Sequence, residues 1–84
     1  MADFQYSRQA IKYLRRMPKS QAQKMRKALQ DIAAGCNRGL DVKWMMSLNA
    51  FRLRLGNYRA MYAFRKQGQL LVVARVGTRG DFYK

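Results

Sequence analysis

Arg52, Arg54 and Arg59 are the residues whose types and spacing point most directly to chemistry in this 84-residue chain. Phe51-Arg52-Leu53-Arg54-Leu55 alternates apolar and basic residues, Tyr58-Arg59-Ala60 continues the alternation, and Gly56-Asn57 lies between them. Alternation is the period of a strand with one buried face, and Gly-Asn suits a two-residue hairpin turn of the primed kind. A two-residue loop sets Leu55 against Tyr58, Arg54 against Arg59 and Leu53 against Ala60, so the three arginines project from one face. Like charges directly opposed across strands destabilise a sheet by about 0.2 to 1 kcal/mol, which neutral polar side chains would avoid. Planar guanidinium forks grip phosphate oxygens bidentately, and that is the use such a cluster offers. A lone outward arginine more often belongs to a solvated face; three together in a strongly basic chain favour phosphate. Near the end of the chain, Arg79 and Tyr83 stand four residues apart beyond Gly77, a spacing that lets them curl over the same face.

The composition narrows the chemistry further. Eighteen Lys and Arg face only four Asp (Asp3, Asp31, Asp41 and Asp81), with no Glu and no His, for a formal charge of +14. Such a charge repels itself in the compact state and draws polyanions through counterion release and steering. Without His, a Ser-His-Asp triad, a Cys-His nucleophile and a paired-imidazole ribonuclease are all excluded. The one cysteine, Cys36, makes neither an internal disulfide nor a zinc cluster and reads as a loop or buried apolar residue, which fits a reducing, cytoplasmic location. The longest purely apolar run, Leu70 to Ala74, is far short of the ~20 residues a membrane span needs, so no membrane partner is expected.

The elements that must position these residues follow from periodicity. With 49% hydrophobic and 12% aromatic residues the chain has the composition of a folded domain, and residues 1–84 read as one domain without repeats or linkers. Asp3-Phe4-Gln5-Tyr6 alternates as a short strand. Ser7 is placed to cap a helix whose stripe is Ala10, Ile11, Leu14 and Met17. Pro18 closes that helix and suits the first turn of a second, from about Lys19 to Ala34, with Ala22, Met25, Leu29, Ile32 and Ala33 inward and Gly35 as its left-handed stop. Asp41 to Met46 is a weaker strand candidate. Two stronger strands flank Gly56-Asn57, and Gln69 to Val76 is apolar and β-branched, as in a central strand. The fold class is α+β: a strand, a helical hairpin, then an antiparallel meander. The core face of the meander takes Phe51, Leu53, Leu55, Tyr58, Ala60 and Tyr62, and alternation puts Phe64 on the same side of its strand. Trp44, Met45 and Met46 suit the edge of the core or a partner surface, and Tyr6, Tyr13, Tyr58 and Tyr62 read mainly as packing.

Over its full length this order of elements resembles the RelE/ParE superfamily of type II toxin-antitoxin toxins. The resemblance is carried by Asp41-Val42-Lys43, the segment Phe51 to Tyr62, Val76-Gly77-Thr78-Arg79 and the terminal Tyr83. It implies the RelE-like microbial RNase fold and an acidic antitoxin that wraps the toxin, meeting its basic sheet face or helical hairpin. RelE-type members cut mRNA in the A site of the small ribosomal subunit; ParE-type members share the fold but act on DNA gyrase. Mapped by motif, the RelE-type roles fall on Arg52, Arg54, Arg59, Arg79 and Tyr83 as catalytic residues, with Lys43 and the four arginines binding RNA. The favoured reading is a metal-independent, cofactor-free mRNA endoribonuclease that binds operator DNA only through its antitoxin. RelE-type enzymes carry lysines where Arg52 and Arg54 stand, so the general base is left to Tyr83 or the ribosome. The alternatives are a gyrase-directed toxin and a noncatalytic nucleic-acid-binding module.

Overall fold

The computed structural model describes residues 2–78. Strand β1 (Asp3–Tyr6) leads into helices α1 (Arg8–Arg16) and α2 (Lys19–Ala33). Then come β2 (Asp41–Met45), a short 3₁₀ turn (Met46–Leu48), β3 (Ala50–Leu55), β4 (Tyr58–Arg65) and β5 (Leu70–Thr78). The strands form one sheet in the order β1-β5-β4-β3-β2. The meander from β2 to β5 is antiparallel as expected, while β1 joins its far edge parallel to β5, making the sheet mixed.

Local chemistry sets the helix ends. The Ser7 hydroxyl accepts from the Ala10 N–H at 3.0 Å, satisfying one of the donors a helix start leaves open. Met17 ends α1 in extended geometry, and Pro18 caps α2 from outside its first turn, one residue earlier than the sequence suggests. At the far end of α2, Gly35 turns left-handed at φ +87°. Its N–H reaches the Ile32 carbonyl at 2.9 Å, and the Cys36 N–H reaches that of Asp31 at 2.8 Å, the paired bonds of a Schellman stop. Cys36 itself is exposed in the following loop.

The core lies between the helices and one sheet face. Met25, Leu29, Leu53, Leu71, Val73 and Val76 are its largest fully enclosed side chains. Each such apolar side chain contributes about 1.5 to 3 kcal/mol by leaving water. Ile11, expected in the α1 stripe, is exposed instead, because helix spacing turns it away from the arc through Ala10, Leu14 and Met17 that faces the sheet. Phe64, which alternation puts on the side of Tyr58, Ala60 and Tyr62, is exposed at the rim of a groove between the end of α2 and the sheet.

The β5 strand has a fault in its period that the core requires. Val73 pairs with Tyr62 but Arg75 pairs with Met61, so Ala74 is an extra, bulged residue. Val73 and Val76, three apart, thereby both point inward and are fully buried. Beyond Val73, β1 no longer covers the edge of β5, and α1 does so with side chains. The Ser7 hydroxyl donates to the Ala74 carbonyl at 2.6 Å. The Gln9 amide donates to the Val76 carbonyl at 2.8 Å and accepts from the Val76 N–H at 3.0 Å, in place of a strand.

Candidate active site

The face of the sheet away from the helices carries the basic residues. At the β3–β4 turn Gly56 adopts φ +60° while Asn57 does not turn left-handed, the type II′ pattern that glycine permits at the first position. The register is the one the two-residue loop demands: Leu55 opposite Tyr58, Arg54 opposite Arg59 and Leu53 opposite Ala60. Lys43 stands opposite Arg52, Asp41 opposite Arg54, Arg75 opposite Met61 and Gly77 opposite Arg59. Alternation therefore puts Lys43, Arg52, Arg54, Arg59 and Arg75 on one face of four adjacent strands, spanning about 15 Å at ~4.8 Å per strand.

These side chains sit in different environments. Arg54 is exposed and Arg59 is buried at 8% exposure, so Arg59 is no solvated surface residue. Its neighbour across β5 is Gly77, which presents no side chain there. The Arg52 side chain is 16% exposed, with Nη2 lying 3.8 Å from the Asp41 carboxylate, diagonally across the β2–β3 pair. Arg52 Nε is buried and finds no hydrogen-bond partner among the described residues. A buried donor left unmet costs about 1 to 3 kcal/mol.

Gly77 and Thr78, which the sequence suggests as the start of a tail, belong to β5 and pair with Arg59 and Tyr58. The chain thus leaves β5 beside the arginine row. Arg79 and Tyr83 lie outside the described residues. Arg75 escapes the sequence reading because the bulge at Ala74 shifts the phase of the last strand, and simple alternation from Leu70 misplaces it. Burial pushes Tyr62 up to about 12 and raises Tyr6, which the charge of Arg26 opposes.

A family model described as the ParE toxin of the type II toxin-antitoxin system parDE matches residues 4–83. The chain belongs to this toxin family. Solved structures share its fold. An archaeal RelE–RelB complex from Pyrococcus horikoshii OT3 superposes with a TM-score of 0.76 at 21% identity, covering 95% of the toxin and 97% of the matched chain. The RelB–RelE antitoxin-toxin complex from Methanococcus jannaschii gives 0.74 at 20% identity, with 93% of each chain covered. The toxin-antitoxin complex RelBE2 from Mycobacterium tuberculosis gives 0.71 at 19%, covering 93% of the toxin and 98% of that chain. No curated protein matches the toxin by sequence. Among the described residues, no helix is long and apolar enough to cross a membrane.

Proposed function

We propose that this toxin is an endoribonuclease that cleaves mRNA in the ribosomal A site and so halts translation, and that the arginine row is its active site. The observation that carries this reading is the Arg54–Arg59 pair, two arginines opposed across adjacent strands with Arg52 beside them on the same face. In the reaction the 2′-hydroxyl of the RNA attacks the adjacent phosphorus, the P–O5′ bond breaks, and a 2′,3′-cyclic phosphate and a free 5′-hydroxyl result. The proton lost by the 2′-oxygen passes to a base, and the departing 5′-oxygen gains one. Arg52, Arg54, Arg59 and Arg79 hold the phosphate and offset the added negative charge of the pentacoordinate state; losing one such preorganised donor typically costs about 10² to 10³ in rate. Arginine keeps its protons at neutral pH, so proton transfer falls to other groups. Tyr83 stacks a base or assists that transfer, and Lys43 beside Arg52 binds RNA.

An acidic antitoxin is the partner that neutralises the toxin, a reading supported by the RelB chains bound to all three structural relatives. It covers the arginine row and the free β2 edge, where Trp44 at 46%, Met46 at 84% and Leu48 at 47% exposure offer it an apolar seat. A second reading, inhibition of DNA gyrase without RNA cleavage, is favoured by the family description, which names ParE. One pair of assays separates them. Purified toxin added to translating ribosomes should yield truncated primer-extension products within codons, and gyrase supercoiling in the same buffer should proceed unhindered. Intact message together with blocked supercoiling would reverse the assignment.

A further inference from the structure

The arginine row uses only part of the positive charge. Helix α1 carries Arg8, Lys12, Arg15 and Arg16, all exposed. At 3.6 residues per turn they fall within an arc of about 100°. None forms an ion pair among the described residues, where the two salt bridges are Lys27–Asp31 and Arg52–Asp41. The helix dipole accounts for Arg15 and Arg16, which sit in the last turn, where cations are favoured. It opposes Arg8, which stands at the positive end in a first turn without any acid. Among the described residues no carboxylate pairs with this stripe, and a one-sign patch of this kind attracts polyanions.

Beside the stripe lie two adjoining grooves. One, of about 250 Å³, is lined by Tyr13, Arg16, Met17, Pro18 and Tyr58. The other, of about 170 Å³, runs over Gln9, Lys12, Tyr13 and Arg16. Tyr13 and Tyr58 are half-buried and meet edge to face with ring centroids 6.4 Å apart. Tyr58 also directly precedes Arg59 on β4, so the grooves and the arginine row lie on opposite sides of the same strand start, next to the Gly56-Asn57 turn.

We propose that the α1 stripe and the tyrosine groove form a second RNA-binding subsite. An unpaired base lies against Tyr13 and Tyr58, Lys12 and Arg16 hold the flanking phosphates, and Arg8 and Arg15 extend the contact along the backbone. Aromatic rings with adjacent cations are how single strands are held without sequence readout. A strand that rounds the hairpin turn reaches both surfaces. The subsite rests on the ribonuclease reading only in taking RNA as the ligand.

The test is a fluorescence-anisotropy titration of the full-length toxin with a short, labelled, single-stranded 2′-O-methyl RNA, which lacks the attacking hydroxyl and stays uncut, over a NaCl series. The doubly substituted K12Q/R16Q toxin should bind at least tenfold more weakly, and its log–log salt slope should flatten by about 1.4, since each single-strand phosphate contact contributes about 0.7. Tyr13→Leu should weaken binding about tenfold with the slope unchanged, as loss of a stacking surface does. Wild-type affinity and slope in K12Q/R16Q would overturn the subsite. That variant alters only exposed side chains and decides the matter alone should Tyr13→Leu not fold. Cleavage of A-site message by the unmodified toxin is scored separately. Its absence would sink the ribonuclease reading while leaving the K12Q/R16Q result in force.

Discussion

At the scale of single residues, the phosphate site proposed for the arginine row sets binding against stability. Arg54 opposes Arg59, and the nearby Asp41 carboxylate pairs with Arg52. Arg54→Gln is therefore expected to leave folding stability unchanged or to raise it by up to about 1 kcal/mol in urea denaturation, the range of cross-strand charge pairs. A loss larger than that would show that Arg54 is held by the fold and not by a ligand. The facing of these two side chains was legible because a two-residue turn admits one pairing. The ion pair of Arg52 with Asp41 was not, since the connection from β2 to β3 passes through a 3₁₀ turn and a left-handed Asn49, and no loop-length rule fixes that register. The burial of Arg59 was equally hidden: alternation assigns a face but not what surrounds a side chain on it. On the other face, Tyr62 keeps its proton in the folded state up to about 12, while in the unfolded chain it ionises near 10. The folded form then binds more protons between these values, so its contribution is present below pH 10 and is lost as pH rises toward 12. Tyr62→Phe should flatten that part of the stability–pH curve, and an unaltered alkaline slope would count against the burial of this hydroxyl.

At the scale of elements, the least anticipated device is the clamp between α1 and the bulged end of β5. Ser7 was readable as a cap from its neighbours in sequence, and Gly35 as a stop, because both act within a few residues. Gln9 was not readable, because its partner Val76 lies 67 positions away and nothing local distinguishes a glutamine that pairs with backbone from one facing water. Gln9→Ala strands a backbone donor and acceptor of β5 and should lower stability by about 1 to 3 kcal/mol in chemical denaturation. Full stability of the variant would mean that water replaces the clamp without penalty. The bulge at Ala74 means that alternation alone could not have assigned the faces of the last strand: a core that buries both Val73 and Val76 overrides strict alternation. The parallel addition of β1 to β5 escaped for a related reason, since two helices and three strands lie between the two partners in the chain and only the assembled sheet brings them together.

At the scale of the whole molecule, charge governs both stability and partners. A formal +14 on 84 residues repels itself, and screening by salt shortens the reach of that repulsion from about 30 Å at 0.01 M to about 3 Å at 1 M. The melting temperature should therefore climb steadily with NaCl, and a fall over that range would contradict the account. The same imbalance suggests a polyanionic partner from composition alone, and the turn-defined arginines suggest phosphate as its point of contact. Fold class followed from periodicity, but the choice between cleaving RNA and blocking an enzyme turns on chemistry that composition does not encode. The most direct measurement is single-turnover cleavage of ribosome-bound message by saturating toxin, comparing the unmodified chain with Arg54→Gln. The rate constant should drop by about 10² to 10³ with the ends of the remaining product still 2′,3′-cyclic phosphate. An undiminished rate in the variant would remove the arginine row from the chemistry.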